Sequence, residues 1–294
     1  MLRRGPSRRS LVAAVALVAV ASLAGVAPAA AKKKRVRNPG PLSLATQAFT
    51  LNHVDQYERM TVGCPGGLAP YGGGVLVSPP PGPGGEGVYP NSYERLGAQR
   101  GYHITAVLIN PDGARVTPRD ATLQVMCGKK IGKIASPHRV VDFKPGEGSN
   151  TIVAKCPKNT SLIGGGYQRS NGITDRGVVA TESHRISKRS WQVIAHSLGG
   201  FVGQAVSIGY CVKSRKSLIT EVSGSVTVAS GQAATAITSP CPPGRQLAFG
   251  GFSTPPSGGI RFMGAGFTNG TWSATGYNAG GPATLTAYGY CLKV

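Results

Sequence analysis

The stretch Cys156-Pro157-Lys158-Asn159-Thr160-Ser161-Leu162-Ile163-Gly164-Gly165-Gly166 decides how this chain folds, because its pattern is written three times. Cys64-Pro65 leads in the same number of steps to Gly73-Gly74, and Cys241-Pro242 to Gly250-Gly251. Further on, an aromatic opens an apolar run in each copy: Tyr102, Trp191 and Trp272. A second cysteine then closes each copy, in Cys127-Gly128-Lys129, Cys211-Val212-Lys213 and Cys291-Leu292-Lys293. Self-similarity at a near-fixed period marks a repeat architecture built by copying one supersecondary unit.

Each copy reads as β-structure. Glycine (43 residues) and proline (22) interrupt nearly every stretch of the chain, and both are poor in helix interiors. Between them stand short runs of Val, Ile, Thr, Tyr and Phe, the mark of an all-β sandwich, barrel or prism. A first strand is expected at Ala48–Val54, Arg139–Lys144 and Ser225–Ser230. A second runs into the opening cysteine, as Met60–Cys64, Thr151–Cys156 and Ala236–Cys241. The third runs into the glycine pair, where a bulge, a bend or a close backbone approach is expected.

A fourth strand, near Gly177–Ser183 and Gly259–Phe267, leads to the aromatic-led fifth; in the last copy Asn269-Gly270, the favoured tight-hairpin dipeptide, joins them. On the fifth strand Trp191, Val193 and Ala195 share one face, so the aromatic is expected to plug one end of its unit's core. A sugar-stacking platform is the alternative use of that ring. The sixth strand ends at the closing cysteine. The expected fold is all-β: three homologous antiparallel β units, forming a pseudo-threefold prism or three tandem β-sandwiches, with the compact prism preferred. The units are placed at 46–135, 136–215 and 216–294. Pro79–Gly85, an insertion in the first unit, is expected to be an exposed loop.

Residues 1–31 have the anatomy of a secretory signal peptide: Arg3, Arg4, Arg8 and Arg9, then an apolar run, then an A-x-A site with cleavage at Ala31–Lys32. Ser7-Arg8-Arg9-Ser10-Leu11-Val12 partly matches a twin-arginine signal, so both export routes stay open, and an uncleaved anchor is a third reading. Residues 32–45 follow as a basic tail. The expected location is secreted or cell-wall associated, with no transmembrane segment once the signal is removed. Six cysteines in an oxidising compartment imply three disulfides. Pairing opener with closer gives Cys64–Cys127, Cys156–Cys211 and Cys241–Cys291, which makes each unit self-contained and is preferred. A cyclic set would join Cys127–Cys156, Cys211–Cys241 and Cys64–Cys291. No C-x-x-C or H-x-x-x-H pair offers a metal site, and no cofactor motif is found.

The formal charge of +21 shrinks to +12 beyond position 37, because the signal holds four cations and Lys32–Arg37 five. What remains dense is Lys188-Arg189 and Lys213-Arg215-Lys216. That distribution gives no specific nucleic-acid signature. It suits loose adhesion to an anionic or glycan polymer of a cell surface, or simply a solvated, soluble chain.

Ala195-His196-Ser197-Leu198-Gly199-Gly200 resembles the nucleophile elbow of lipases and other α/β-hydrolases. The resemblance implies Ser197 as nucleophile, a base from His103, His138 or His184, and Asp142 or Asp175 as orienter. Against it, Gly199, Gly200, Gly203 and Gly209 would each cost a following helix about 1 kcal/mol. The third unit also has the glycine pair without a nucleophile, in Tyr277-Asn278-Ala279-Gly280-Gly281.

The Cys-Pro opening, the glycine pair, the Trp-led strand and the closing Tyr-Cys together resemble a repeat of exported actinobacterial proteins, over Thr46 to Val294. The first unit departs from it, with Tyr102 for Trp and Met126 for Tyr. The layout is similar to the β-prism of vitelline membrane outer layer protein. These resemblances imply an extracellular β-rich module and name no activity. The expected function is a secreted, non-enzymatic binding or adhesion module of the envelope, with a serine hydrolase at Ser197 or a purely structural coat protein as alternatives.

Overall fold

The computed structural model describes residues 38–52, 57–78, 87–96, 101–109, 118–144, 147–169, 178–197, 202–255 and 259–294. The expected signal peptide with its expected Ala31–Lys32 site, the run Lys32–Arg37, His53, the Pro79–Gly85 insertion, Asp175 and Leu198-Gly199-Gly200 lie outside the described residues.

Unit 1 supplies β1 (Ser43–Leu51), β2 (Tyr57–Gly63), β3 (Ala69–Ser78), β4 (Gly87–Leu96), β5 (Gly101–Ile109) and β6 (Arg119–Gly128). Unit 2 supplies β7 (His138–Phe143), β8 (Ser149–Lys155), β9 (Thr160–Arg169), β10 (Val178–Ser187), β11 (Ser190–Ser197) and β12 (Gly203–Lys213). Unit 3 supplies β13 (Ile219–Val228), β14 (Ala233–Ile237), β15 (Arg245–Ser253), β16 (Ile260–Thr268), β17 (Thr271–Asn278) and β18 (Ala283–Lys293). Some ends differ from the sequence expectation. β1 and β13 begin earlier, because they pair with the whole of strand six, out to Ser43↔Cys127 and Ile219↔Leu292. β14 stops short of Cys241, since Pro240 has no N–H to continue a ladder.

The strands form three antiparallel six-stranded sheets, ordered β1-β6-β3-β16-β17-β14, β13-β18-β15-β10-β11-β8 and β2-β5-β4-β9-β12-β7. One rule generates all three. Strands one, six and three of a unit continue into strands four, five and two of the preceding unit in a closed cycle, so the units share sheets instead of standing as separate sandwiches. The joints are short ladders at Ala265↔Val75, Tyr93↔Tyr167 and Glu182↔Ser253.

The repeated residues explain the geometry. Strand three carries a bulge at the same place in every unit, at Tyr71, Ile163 and Ala248, and strand four carries one at Asn91, Thr181 and Met263. A bulge adds twist and bends the strand. The first glycine of each pair lies flat against its unit's aromatic: a Cβ there would overlap Tyr102, Trp191 or Trp272. The second lies against a backbone carbonyl of the neighbouring unit, that of Ala265, Tyr93 or Ser183. Close approach is thus the reason for both glycines.

Disulfides join Cys64 to Cys127, Cys156 to Cys211 and Cys241 to Cys291. In each, strand two and strand six of one unit belong to different sheets, so each of the three seams between sheets is stapled once. The core is aromatic. Trp191, Phe249 and Tyr290 pack together, with Phe249 and Tyr290 stacked at 4.6 Å, and Tyr93 meets Tyr167 at 5.4 Å.

Candidate functional site

Strands two, four and six end, and strands one, three and five begin, at one end of the assembly. The turns there carry the proline-cysteine signatures. Cations collect at this cysteine end: Lys129, Lys130 and Lys133 from unit 1, Arg245 and Lys293 from unit 3, and the largest group from unit 2. The described turns at this end contain no Asp or Glu. The opposite end holds Asp120, Asp142 and Glu147, each in a hydrogen bond: Thr50 Oγ1 donates to Asp120 (2.8 Å), Gln204 Nε2 to Asp142 (2.7 Å) and the Lys144 N–H to Glu147 (2.8 Å).

Unit 2 concentrates the charge. Its β10–β11 hairpin carries Lys188 and Arg189, the last residue of β12 is Lys213, and the segment after it carries Arg215 and Lys216. The fold unites these clusters: Lys188 Nζ donates to the Arg215 carbonyl. The Arg189 guanidinium forks onto the Cys156 carbonyl, at 3.1 and 2.8 Å, and the Ser214 N–H donates to Asn159 O at 3.0 Å. Three turns are thus fixed around the Cys156–Cys211 bridge, with exposed Lys155 and Lys158 beside them. Seven like charges on a braced surface repel one another at short range, and salt relieves this only in part. A polyanion relieves it directly.

The joints between units are lined differently. The joint of units 1 and 2 holds a depression of about 340 Å³, with an apolar floor of Val206 and Ile208 and with Glu94, Gln168 and His138 around it. Burial raises the Glu94 carboxyl above its ordinary value, against the pull of Arg59, and lowers the Arg95 guanidinium. At the joint of units 2 and 3 the His184 ring stacks on Tyr288 at 4.8 Å, and Tyr288 Oη meets Ser253 Oγ at 3.2 Å. His184 Nδ1 stands 3.7 Å from Glu182, and burial lowers the imidazole while raising the carboxyl.

Among the described residues, those suggested for hydrolysis are not brought together. Ser197 ends β11 away from the cysteine end, opposite Val178, with its N–H on Gly148 O at 2.9 Å. His184 lies six residues further along the paired strand, about 20 Å away at the rise of a β-strand. His103 and His138 also lie toward the cysteine end, in another sheet, and Asp142 is held by Gln204. The sugar-platform reading of Tyr102, Trp191 and Trp272 is overturned: they are 2 %, 1 % and 2 % exposed, each covering a glycine inside the core. Among the described residues no three His, Cys, Asp or Glu side chains gather as a metal site requires.

Compared with known proteins, the chain matches no family model and no curated protein. Sequence reading singled out both unit 2 clusters without the link between them, which the β10–β11 hairpin and the segment after β12 create only in three dimensions.

Proposed function

We propose that this protein is an exported, non-catalytic binding module that holds an anionic polymer of a cell envelope or extracellular surface against its cysteine end. Three disulfides, with no cysteine left free, suit an oxidising extracellular setting. The observation that carries the reading is the convergence of Lys188 and Arg189 with Lys213, Arg215 and Lys216 around Cys156–Cys211, on an end whose described turns hold no Asp or Glu. Lysine-rich clusters bind phosphate or carboxylate as point charges without demanding one geometry. That matches a repeating polymer better than a single shaped ligand.

The test is binding of the mature protein to polyglycerol phosphate, polyglutamate and an uncharged glucan across a salt series. Both polyanions are expected to bind, with affinity falling as salt rises, and the glucan is not. The triple variant Lys188→Glu, Lys213→Glu, Lys216→Glu should weaken polyanion binding by about 100-fold or more, at roughly 1 kcal/mol per charge near an anionic surface. Unchanged binding by the triple variant, or equal binding of the glucan, would overturn the reading.

A further inference from the structure

The three joints between units are equivalent by the repeat, yet one is built differently. The residue before the closing cysteine is Tyr210 in unit 2 and Tyr290 in unit 3, but Met126 in unit 1. On strand four, the residue paired with the unit's aromatic is Arg95 or Arg185 in units 1 and 2, but Phe267 in unit 3. At two joints, then, a tyrosine and an arginine meet, with the arginine N–H on the tyrosine hydroxyl at 2.6 and 2.7 Å. At the third, Met126 and Phe267 stand in those places and line a pocket of about 420 Å³, against about 340 Å³ for the depression beside Arg95 and Tyr210. Ligand pockets span about 300–1,000 Å³.

The lining combines an apolar wall with a cation and the polar Gln246 and Asn269. Leu44, Met126, Leu247 and Phe267 line it, and Arg245 stands among them. The Arg245 guanidinium holds the carbonyls of Leu218 and Cys291 only at 3.4 Å each, and Lys293 is its cross-strand partner. The pocket lies at the cysteine end, beside described turns that carry cations and no Asp or Glu. A cleft with one apolar wall and a weakly engaged cation beside it is complementary to a chain with a negative head. A neutral apolar ligand would leave Arg245 unused, and a cationic one would be repelled.

We propose that this pocket binds the acyl chain of an anionic amphiphile, with Arg245 meeting its phosphate or carboxylate head. The inference deepens the polyanion reading, on which it rests: the polymer recognised is one tied to a lipid, the cationic turns holding the polymer and the pocket its acyl end. Met126 and Phe267, the two departures from the repeat, replace a tyrosine and an arginine with apolar side chains in its lining.

The experiment is titration calorimetry of the mature protein with monomeric dodecyl phosphate, decyl phosphate, glycerol phosphate and dodecyltrimethylammonium. Dodecyl phosphate is expected to bind one to one, and decyl phosphate about tenfold more weakly for two fewer buried methylenes. Glycerol phosphate and the cationic detergent should show no saturable binding. Met126→Tyr, which restores the side chain of the other joints, should abolish dodecyl phosphate binding. Leu44→Glu should do the same from an exposed strand position where folding is not at stake. Arg245→Gln should weaken dodecyl phosphate about tenfold and leave a neutral dodecyl glycoside unaffected. Affinity independent of chain length, or full affinity in both Met126→Tyr and Leu44→Glu, would overturn the pocket. Lipid-free polyglycerol phosphate should bind Met126→Tyr as well as wild type, so failure of the pocket and failure of the polyanion reading show in different titrations.

Discussion

The backbone N–H of Arg95 donates to Tyr210 Oη at 2.6 Å, tying unit 1 to unit 2. Arg185 and Tyr290 repeat the bond between units 2 and 3, at 2.7 Å. Where Met126 replaces the tyrosine, Gln124, two residues earlier on the same face, substitutes for it. Its Oε1 accepts from the Phe267 N–H at 2.6 Å and its Nε2 donates to the Phe267 carbonyl at 3.0 Å. Each joint therefore satisfies the same backbone N–H by a side chain of strand six. Tyr210→Phe and Tyr290→Phe should each cost about 1–3 kcal/mol, the penalty of an abandoned donor. Gln124→Leu strands two backbone groups and should cost more than either. Urea denaturation of the three variants checks this, and wild-type stability in Gln124→Leu would show that the joint needs no such bond.

The glycine pairs give a second prediction. A Cβ on Gly165 or Gly250 would sit inside the indole of Trp191 or Trp272, each ring fully buried in the core. Gly165→Ala and Gly250→Ala should each destabilise by about 3 kcal/mol or more, at the upper end of overpacking costs. Gly281→Ala, where nothing lies within 4 Å, is the control and should be near neutral. Thermal melts of the three proteins decide it: a mild effect at Gly165 would mean that the ring can move aside.

How much of this was readable beforehand follows from the range of the signals. Asn269-Gly270 declares its hairpin locally, and both residues have positive φ, 48° and 78°. The glycine pairs and aromatics repeat in step, so their shared role in packing could be read from spacing. The sharing of sheets could not. It depends on a few ladder contacts such as Tyr93↔Tyr167, between units whose strands have no local mark of their partner. The starts of β1 and β13 were missed for a related reason: both pair along one side only, and their mostly exposed or half-buried residues lack the apolar run of an inner strand. The cationic site was half legible, as two clusters whose contact through Lys188 and Arg215 only the folded chain creates. The pocket's one early sign was Met126 standing where the other units have tyrosine.

Removal of a bridge tests the seams. The loops closed span 63, 55 and 50 residues, so on the chain-entropy account each bridge contributes about 4 kcal/mol. Because each staples a different seam, replacing any one pair by alanine should lower stability by a similar amount. Denaturation of Cys64→Ala/Cys127→Ala, Cys156→Ala/Cys211→Ala and Cys241→Ala/Cys291→Ala, measured in parallel, should give three losses alike within about 1 kcal/mol. One pair dominating would show that the seams are not equivalent. Loss of Cys156–Cys211 should also loosen the turns that present Lys188 and Lys213, and so weaken polyanion binding more than loss of the other two.

Acid should weaken the joint of units 2 and 3. Burial holds the His184 imidazole below its usual 6.5, so as pH falls the unfolded chain takes up this proton before the folded one does. The contribution of His184 is full above 6.5 and declines as pH drops through 6.5 toward the lowered value. His103 and His196 are lowered by burial too and act in the same direction. Glu182 acts oppositely: burial raises its carboxyl above 4.5, so the folded state keeps that proton to higher pH, and its contribution grows as pH falls through the raised value. Wild type and His184→Gln separate these effects, since the variant keeps Glu182. Stability measured by urea at about pH 7 and about pH 5, which bracket the histidine range, should fall more in wild type than in His184→Gln. The same loss in both proteins would mean that His184 charges freely against Tyr288 and Glu182, and that its burial has no hold on the proton.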